Sequence, residues 1–417
     1  MIRRLAILSV HTSPLAPMGG KKTGGMNVYI RELAQELGSR GIAVDIFVRR
    51  SSHDEPKIDY GIGENVRVIY LTAGTVKTLS PDDIYPHLPQ FTARLIAFTT
   101  RHNIKYDVIY SNYWLSGWVG QKLKESWGTP FVQMFHTLGQ MKQRILTHES
   151  IMPNQRIRTE TEIVEWADRI IAATPAEHSQ LMWLYRANRR KIGIVPPGVN
   201  TERFYPRSEA RAKAELGIDD SKKMLLFVGR IEPLKAIDSI IHALNVIKTN
   251  TPDVLEQICF TVVGGDPHDS ADREMQRLQS LTREYGLDNV VDFIGAKDQN
   301  LLPAYYAAAT AVIMPSDYES FGMVSLEAMA TGTPVIASNV GGLSYLVKDE
   351  QTGYLVPVRQ ADVIAERITR LVTDNTLARS MGDNAAELAK QYAWSNIADR
   401  LCAVFNDILG QKSARAV

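Results

Sequence analysis

The run Ser316-Asp317-Tyr318-Glu319-Ser320-Phe321-Gly322-Met323-Val324-Ser325-Leu326-Glu327-Ala328-Met329-Ala330-Thr331-Gly332 decides how the rest of the chain is read. An apolar stretch at 311–314 feeds it and is closed by Pro315, and the helical spacing that follows persists until Gly332. The pattern predicts a strand passing straight into a helix that starts at Phe321 or Gly322. The first N–H groups of a helix lack an intrahelical partner, and the helix dipole puts partial positive charge behind them. The backbone of Gly322, Met323 and Val324, with Phe321 beside it, is therefore expected to form an anion site best suited to phosphate.

Two glutamates flank that cradle, Glu319 just outside the helix and Glu327 further along it. A carboxylate repels phosphate, so its natural partner here is a pair of vicinal hydroxyls such as a ribose or a hexose presents. On this reading Glu327 takes the ribose of a nucleotide, the helix start takes its diphosphate, and Glu319 takes the hydroxyls of an attached sugar. In isolation the same spacing would signify only a favourable helix charge and a solvated side chain. The surrounding chain supplies the context.

At 417 residues with 45% hydrophobic content, the chain is long enough for two or three domains with sizeable cores. Its formal charge of +1 gives no overall field for nucleic acid or an anionic membrane, so anion binding must come from local clusters. The N-terminal apolar run stops at His11, too short for a signal-peptide core, and no apolar span reaches membrane length. A soluble, cytoplasmic protein is expected, without nucleic-acid binding or membrane insertion. Cys259 and Cys402 match no metal-ligand spacing and are expected to be small core residues of a protein in a reducing compartment.

In chain order, residues 5–9 form a short apolar run without alternation, as expected of a parallel strand buried on both faces. A Pro- and Gly-rich loop from His11 to Gly25 follows. It contains Gly19-Gly20-Lys21-Lys22-Thr23-Gly24-Gly25-Met26-Asn27, which fails the P-loop pattern because Leu15 stands where a glycine is needed. Gly24 and Gly25 still allow close backbone approach to a ligand at the mouth of the first strand. Tyr29, Leu33 and Leu37 then mark a helix face, and 42–48 and 66–71 read as strands. This succession begins a doubly wound α/β domain.

A helix is expected over 90–100 and strands over 108–110 and 131–135. Asn112, Tyr113 and Trp114 follow the first of these strands, and His136-Thr137-Leu138-Gly139 follows the second. A histidine directly past a strand end faces the ligand crevice, which singles out His136. A helix over 155–168 carries alternating charge, and strands over 170–173 and 192–195 close this half. The second half repeats the scheme. A strand at 224–228 leads into Gly229-Arg230-Ile231-Glu232-Pro233-Leu234-Lys235, where Arg230 and Lys235 share one strand-to-helix loop and both reach an anion held at the sheet mouth. Strands at 258–263 and 290–293 end in Gly264-Gly265 and Gly295-Ala296, backbone on which a nucleotide base could rest. The inter-domain boundary is expected between Val199 and Lys223, giving domains 1–205 and 206–394.

Taken together, Gly24 to Tyr29, Phe135 to Gly139, Val195-Pro196-Pro197-Gly198-Val199-Asn200, Arg230 to Lys235 and Glu319 to Glu327 resemble a retaining glycosyltransferase of family 4. The resemblance covers nearly the whole chain. It implies the GT-B architecture, an α/β fold of two facing Rossmann-like doubly wound domains with a cleft between them, and a last helix, about 395–417, crossing back to the first domain. It further implies a nucleotide-sugar donor such as UDP-glucose, bound by Arg230 and Lys235 at the diphosphate, Glu327 at the ribose and Glu319 at the transferred sugar. Gly25 would approach the phosphates from the first domain. No cofactor or metal is implied, since two cations and a helix dipole stand where a metal would. Homo-oligomerisation is left open.

Two branches of that family compete. The Gly-Gly-Met-Asn-Val-Tyr run is similar to transferases that add N-acetylglucosamine to inositol phosphate. Tyr85-Pro86-His87-Leu88-Pro89-Gln90-Phe91 is similar to sucrose-phosphate synthases, which glucosylate fructose 6-phosphate. Both use a phosphorylated sugar or polyol. Asn27, Tyr113, Thr137 and Arg156 match acceptor contacts of the inositol-phosphate branch, but Pro81 stands where that branch has a phosphate-binding lysine, which tips the reading narrowly to fructose 6-phosphate, with Lys77 and Lys142 left as alternative cations. Retention normally calls for a nucleophilic carboxylate below the anomeric carbon, yet both glutamates are committed to hydroxyls. The resemblance implies front-face attack instead, with Arg230, Lys235 and the helix start stabilising the leaving diphosphate and His136 positioning the sugar. A glycoside hydrolase, a same-fold epimerase and a non-catalytic nucleotide-sugar sensor are the rival classes.

Overall fold

The computed structural model describes residues 1–16, 24–145 and 154–415; the loop residues Gly19 to Thr23 quoted above lie outside them. The chain divides into two compact units. The first holds Met1–Ala16, Gly25–Pro197 and the chain from Trp394 onward, and the second holds Gly198–Ala393.

The first unit carries an eight-stranded sheet ordered β3-β4-β2-β1-β5-β6-β7-β8. Its strands are β1 (Arg4–Leu8), β2 (Ala43–Arg49), β3 (Ile58–Asp59), β4 (Val66–Leu71), β5 (Val108–Asn112), β6 (Phe131–Met134), β7 (Arg169–Ala172) and β8 (Ile192–Ile194). All pairings are parallel except that of the two-residue edge strand β3 with β4. The second unit carries a wholly parallel six-stranded sheet, β11-β10-β9-β12-β13-β14, built from β9 (Lys223–Val228), β10 (Ile258–Val263), β11 (Val291–Gly295), β12 (Ala309–Met314), β13 (Val335–Ser338) and β14 (Gly353–Val356). Every residue of β12 is buried, as an apolar run covered on both faces demands.

The order of strands places the functional loops. In each sheet the winding reverses direction once, between β1 and β5 in the first and between β9 and β12 in the second. Loops leaving neighbouring strands at such a reversal diverge to opposite faces of the sheet and open a crevice at the carboxyl ends. The loops that leave β9 and β12 are those that hold Arg230, Lys235, Glu319 and Gly322.

Strand positions agree with the periodicity closely; helices agree less well. The helix Trp114–Trp127 contains Gly117 and Gly120, which weaken its sequence signal. Packing explains both: a Cβ at Gly117 would lie 2.5 Å from Ile163, and one at Gly120 would lie 2.6 Å from the Phe131 ring. The helices Arg273–Glu284, Leu302–Ala308 and Gly341–Leu346 likewise had no expectation behind them. The helix Asn375–Ala389 is closed by a 3-10 turn, Lys390–Tyr392. The last helix, Trp394–Arg415, packs in the first unit, with Trp394 against Tyr29 and Phe405 against Tyr110. Both cysteines are free and only partly buried. No helix among the described residues is long and apolar enough to cross a membrane.

Two local features give measurable consequences. Ala236, fully buried, closes the 3-10 turn Pro233–Lys235 in the left-handed region at φ +51°. A Cβ there costs about 1 kcal/mol, so Ala236→Gly should raise the unfolding free energy by that amount, read as a higher urea midpoint with an unchanged slope. The helix Pro175–Tyr185 starts on Thr174, whose hydroxyl accepts from the Glu177 N–H. Glu177 is buried, accepts from the Ala173 N–H at 2.7 Å, and leaves Oε1 without a partner. Burial pushes its carboxyl up to about 7. The native state therefore retains a proton that the unfolded chain gives up from about pH 4.5, and stability is lost as pH rises through 7. Glu177→Gln should flatten the decline in thermal midpoint between pH 5 and 8; an unchanged slope would show that Glu177 does not carry it.

Candidate active site

In the second unit, β12 delivers the chain to the loop that ends at Gly322, the N-cap of the helix Met323–Ala330. Gly322 adopts φ +98°, a backbone state that excludes most side chains, and no side chain caps the helix. Met323 and Val324 thus present their N–H groups at the carboxyl end of the sheet, while the Phe321 side chain is buried. The loop is held from both sides by backbone. The Asp317 N–H donates to the Leu234 carbonyl and the Gly342 N–H to the Glu319 carbonyl, each at 2.9 Å. The second contact requires glycine, because a Cβ on Gly342 would lie 2.2 Å from the Phe321 Cα.

Lys235 and Glu319 meet in this frame, Nζ to Oε2 at 2.6 Å, each side chain 17% exposed. Arg230 is more open and pairs with Glu232 at 2.5 Å. Both cations that the sequence assigns to a diphosphate therefore face a carboxylate. A diphosphate at Lys235 would have to compete with Glu319, which would then turn to other donors. Glu327 is buried on the helix, where Oε2 accepts from the Tyr306 hydroxyl at 2.8 Å. That bond orients the carboxylate, and burial beside it drives the Tyr306 hydroxyl well above its usual range, so it remains a donor. The turns after β10 and β11 are joined by the Ala296 N–H donating to the Gly265 carbonyl at 2.8 Å.

In the first unit, the carboxyl ends of β5 and β6 lead into Tyr113 and His136, both in left-handed conformations at φ +77° and +61°. Non-glycine residues held in such states gather at functional sites, where surrounding contacts impose them. The His136 Nε2 lies 2.8 Å from Asn112 Oδ1, and since an amide oxygen can only accept, Nε2 carries the hydrogen. Burial, with a smaller contribution from His11, lowers the imidazole to about 3. Arg156 is buried on the helix Asn154–Trp166 and donates through Nε to Glu160 at 2.7 Å. Its other nitrogens reach the Tyr113 hydroxyl at 3.2 Å and Thr137, at 2.8 Å to the carbonyl and 3.0 Å to Oγ1. Tyr113, Thr137 and Arg156 thus form one cluster.

Asn27 joins that cluster indirectly. It is buried on the helix Gly25–Ser39 and donates to Thr12 Oγ1 and the Ser13 carbonyl at 2.6 and 2.7 Å, fixing the loop behind His11, whose ring packs 4.4 Å from Tyr113. Gly25 opens the same helix and is exposed. Sequence reading passed over His11, Glu160, Tyr306 and Gly342. His11 had a signal, its place just past β1 at the winding reversal; the others act through contacts between distant segments.

Two family models match the chain, Glycosyltransferase Family 4 over residues 23–203 and Glycosyl transferases group 1 over residues 208–388. The D-inositol 3-phosphate glycosyltransferase of Actinosynnema mirum is 38% identical over 97% of both chains. D-inositol 3-phosphate glycosyltransferase 2 of Catenulispora acidiphila is 39% identical over 97% of this chain and 95% of its own. Among solved structures, sucrose-phosphate synthase from Thermosynechococcus elongatus superposes with a TM-score of 0.89 at 34% identity, covering 98% of this chain and 100% of that one. Two Rossmann-like sheets with these relatives define a GT-B glycosyltransferase. The chain belongs to glycosyltransferase family 4.

The state of His136 is open to measurement. Its native pKa lies below the unfolded value near 6.5, so the folded protein refuses a proton the unfolded chain accepts, and stability falls as pH drops below 6.5. Labelled-histidine NMR should find the His136 ring neutral and unshifted from pH 8 to 5. A midpoint near 6.5 would contradict the environment described.

Proposed function

We propose that the protein transfers a glucosyl group from UDP-glucose to fructose 6-phosphate, giving sucrose 6-phosphate with retention at the anomeric carbon. The observation that carries this reading is the Lys235–Glu319 pair beside an uncapped helix start: an ammonium suited to diphosphate and a carboxylate suited to sugar hydroxyls, 2.6 Å apart. Arg230 and the N–H groups of Gly322, Met323 and Val324 add to the diphosphate site, and Glu327 takes the ribose. Asn27, Tyr113, Thr137 and Arg156 bind the acceptor, and His136 positions the transferred sugar as a neutral donor. In the chemical step the bond from the anomeric carbon to the diphosphate oxygen breaks and the acceptor oxygen bonds to that carbon on the same face. The acceptor proton passes to the leaving phosphate oxygen. Arg230, Lys235 and the helix start stabilise the charge that grows there.

The choice of acceptor follows from Pro81. It opens the helix Pro81–Ile84 behind the cap Ser80, and the first turn carries Asp82 and Asp83. An acidic turn supplies no cation where the inositol-phosphate branch has lysine. The high identity to D-inositol 3-phosphate glycosyltransferases favours a second reading, transfer from UDP-N-acetylglucosamine to an inositol phosphate.

Mass spectrometry of the protein with UDP-glucose or UDP-N-acetylglucosamine, each offered fructose 6-phosphate or inositol phosphate, decides between them. A product at the mass of sucrose 6-phosphate is expected; a hexosaminyl inositol phosphate would install the second reading. Donor conversion without an acceptor, or no turnover at all, would remove both. Arg230→Ala and Lys235→Ala should each lower kcat by roughly 10²- to 10³-fold, and near-normal turnover in the double variant would dismiss the diphosphate site.

A further inference from the structure

We infer that Arg359 is a positioning residue of the donor site, resting on the reading of Lys235 and Glu319 given above. Arg359 follows β14 and stands in the left-handed region at φ +58°. Its guanidinium ties together two segments that are far apart in sequence, 233–238 and the loop at Asp317. Nε and Nη2 donate to the Asp317 carboxylate at 2.8 and 2.6 Å, Nη1 donates to both oxygens of Asp238 at 2.9 Å, and Nη2 also reaches the Pro233 carbonyl at 3.2 Å.

Those partners flank the donor-site residues closely. Asp317 lies two residues before Glu319 on the loop after β12. Pro233 lies two residues before Lys235 on the loop after β9, and Asp238 lies three residues after it, at the start of the helix Asp238–Asn250. The planar fork of arginine holds several acceptors in one geometry, which a lysine ammonium cannot do. Arg359 therefore clamps the two loops that diverge at the winding reversal, through partners two residues before Lys235 and two before Glu319. It also compensates two carboxylates that would otherwise repel a diphosphate nearby. Arg277 reaches Asp238 as well, at 3.1 Å, but its shorter pair is with Glu274 on its own helix at 2.7 Å and it touches neither loop, so it takes no part in the clamp.

The test is calorimetric titration of UDP into the full chain, with donor and acceptor kinetics on the same variants. Arg359→Ala should weaken UDP binding and raise the donor KM about tenfold, given that misplacement by an ångström costs up to about 10²-fold. The acceptor KM should not move, and added methylguanidinium should recover part of the donor affinity. Arg359→Lys, which keeps the charge, should remain impaired, whereas Arg277→Ala should bind UDP as the wild type does. If Lys235→Ala weakens UDP binding and Arg359→Ala does not, the inference about Arg359 fails while the donor site stands. If neither variant alters UDP binding, the donor-site reading fails and takes this inference with it. Equal loss of donor and acceptor affinity in both Arg359 variants, without methylguanidinium recovery, would reduce Arg359 to a general stabiliser and overturn the proposal.

Discussion

The second unit depends on one topological constraint, the reversal of winding between β9 and β12. Adjacent parallel strands whose connections leave to opposite faces cannot fill the space between their own loops. The chain meets this constraint with backbone rather than bulk. Asp317 bonds to the Leu234 carbonyl, Gly342 bonds to the Glu319 carbonyl, and Gly322 turns the chain into a helix whose first N–H groups face outward. A polar rim of backbone groups results at the carboxyl ends of β9 and β12.

Electrostatic compensation is the second theme. Charges in or near both candidate sites are paired: Lys235 with Glu319, Arg230 with Glu232, and Arg156 with Glu160. The Arg156–Glu160 pair is almost fully desolvated, with 4% and 0% side-chain exposure. Removing one member of such a pair leaves an uncompensated buried charge, which costs far more than the pair itself contributes. The more exposed pairs in the second unit are weaker, because solvent screens them. His136 follows the opposite course. It avoids charge, held by Asn112 as a neutral donor in a strained backbone state.

Much of this was legible in the sequence, and the reason is periodicity. Parallel strands buried on both faces leave unbroken apolar runs, so β4 and β10 coincide with their expected spans and the helix at Gly322 starts where its pattern begins. Helices were less legible where close packing needs glycine, as at Gly117 and Gly120. The positions of the candidate residues Tyr113, His136 and Lys235 on the segments that follow β5, β6 and β9 were legible because strand ends mark the ligand side of such sheets.

The linear order of residues by itself determined the α/β class, two repeated halves, and a phosphate-suited helix start flanked by glutamates, since all three follow from local spacing. Only the tertiary structure decided which charges face each other. Lys235 reaches Glu319 across 84 residues, Arg156 reaches Tyr113 across 43, and Arg359 reaches Asp238 across 121. Contacts over such separations depend on strand order, and strand order is set by how the sheets pack their apolar faces, which no local stretch of sequence encodes.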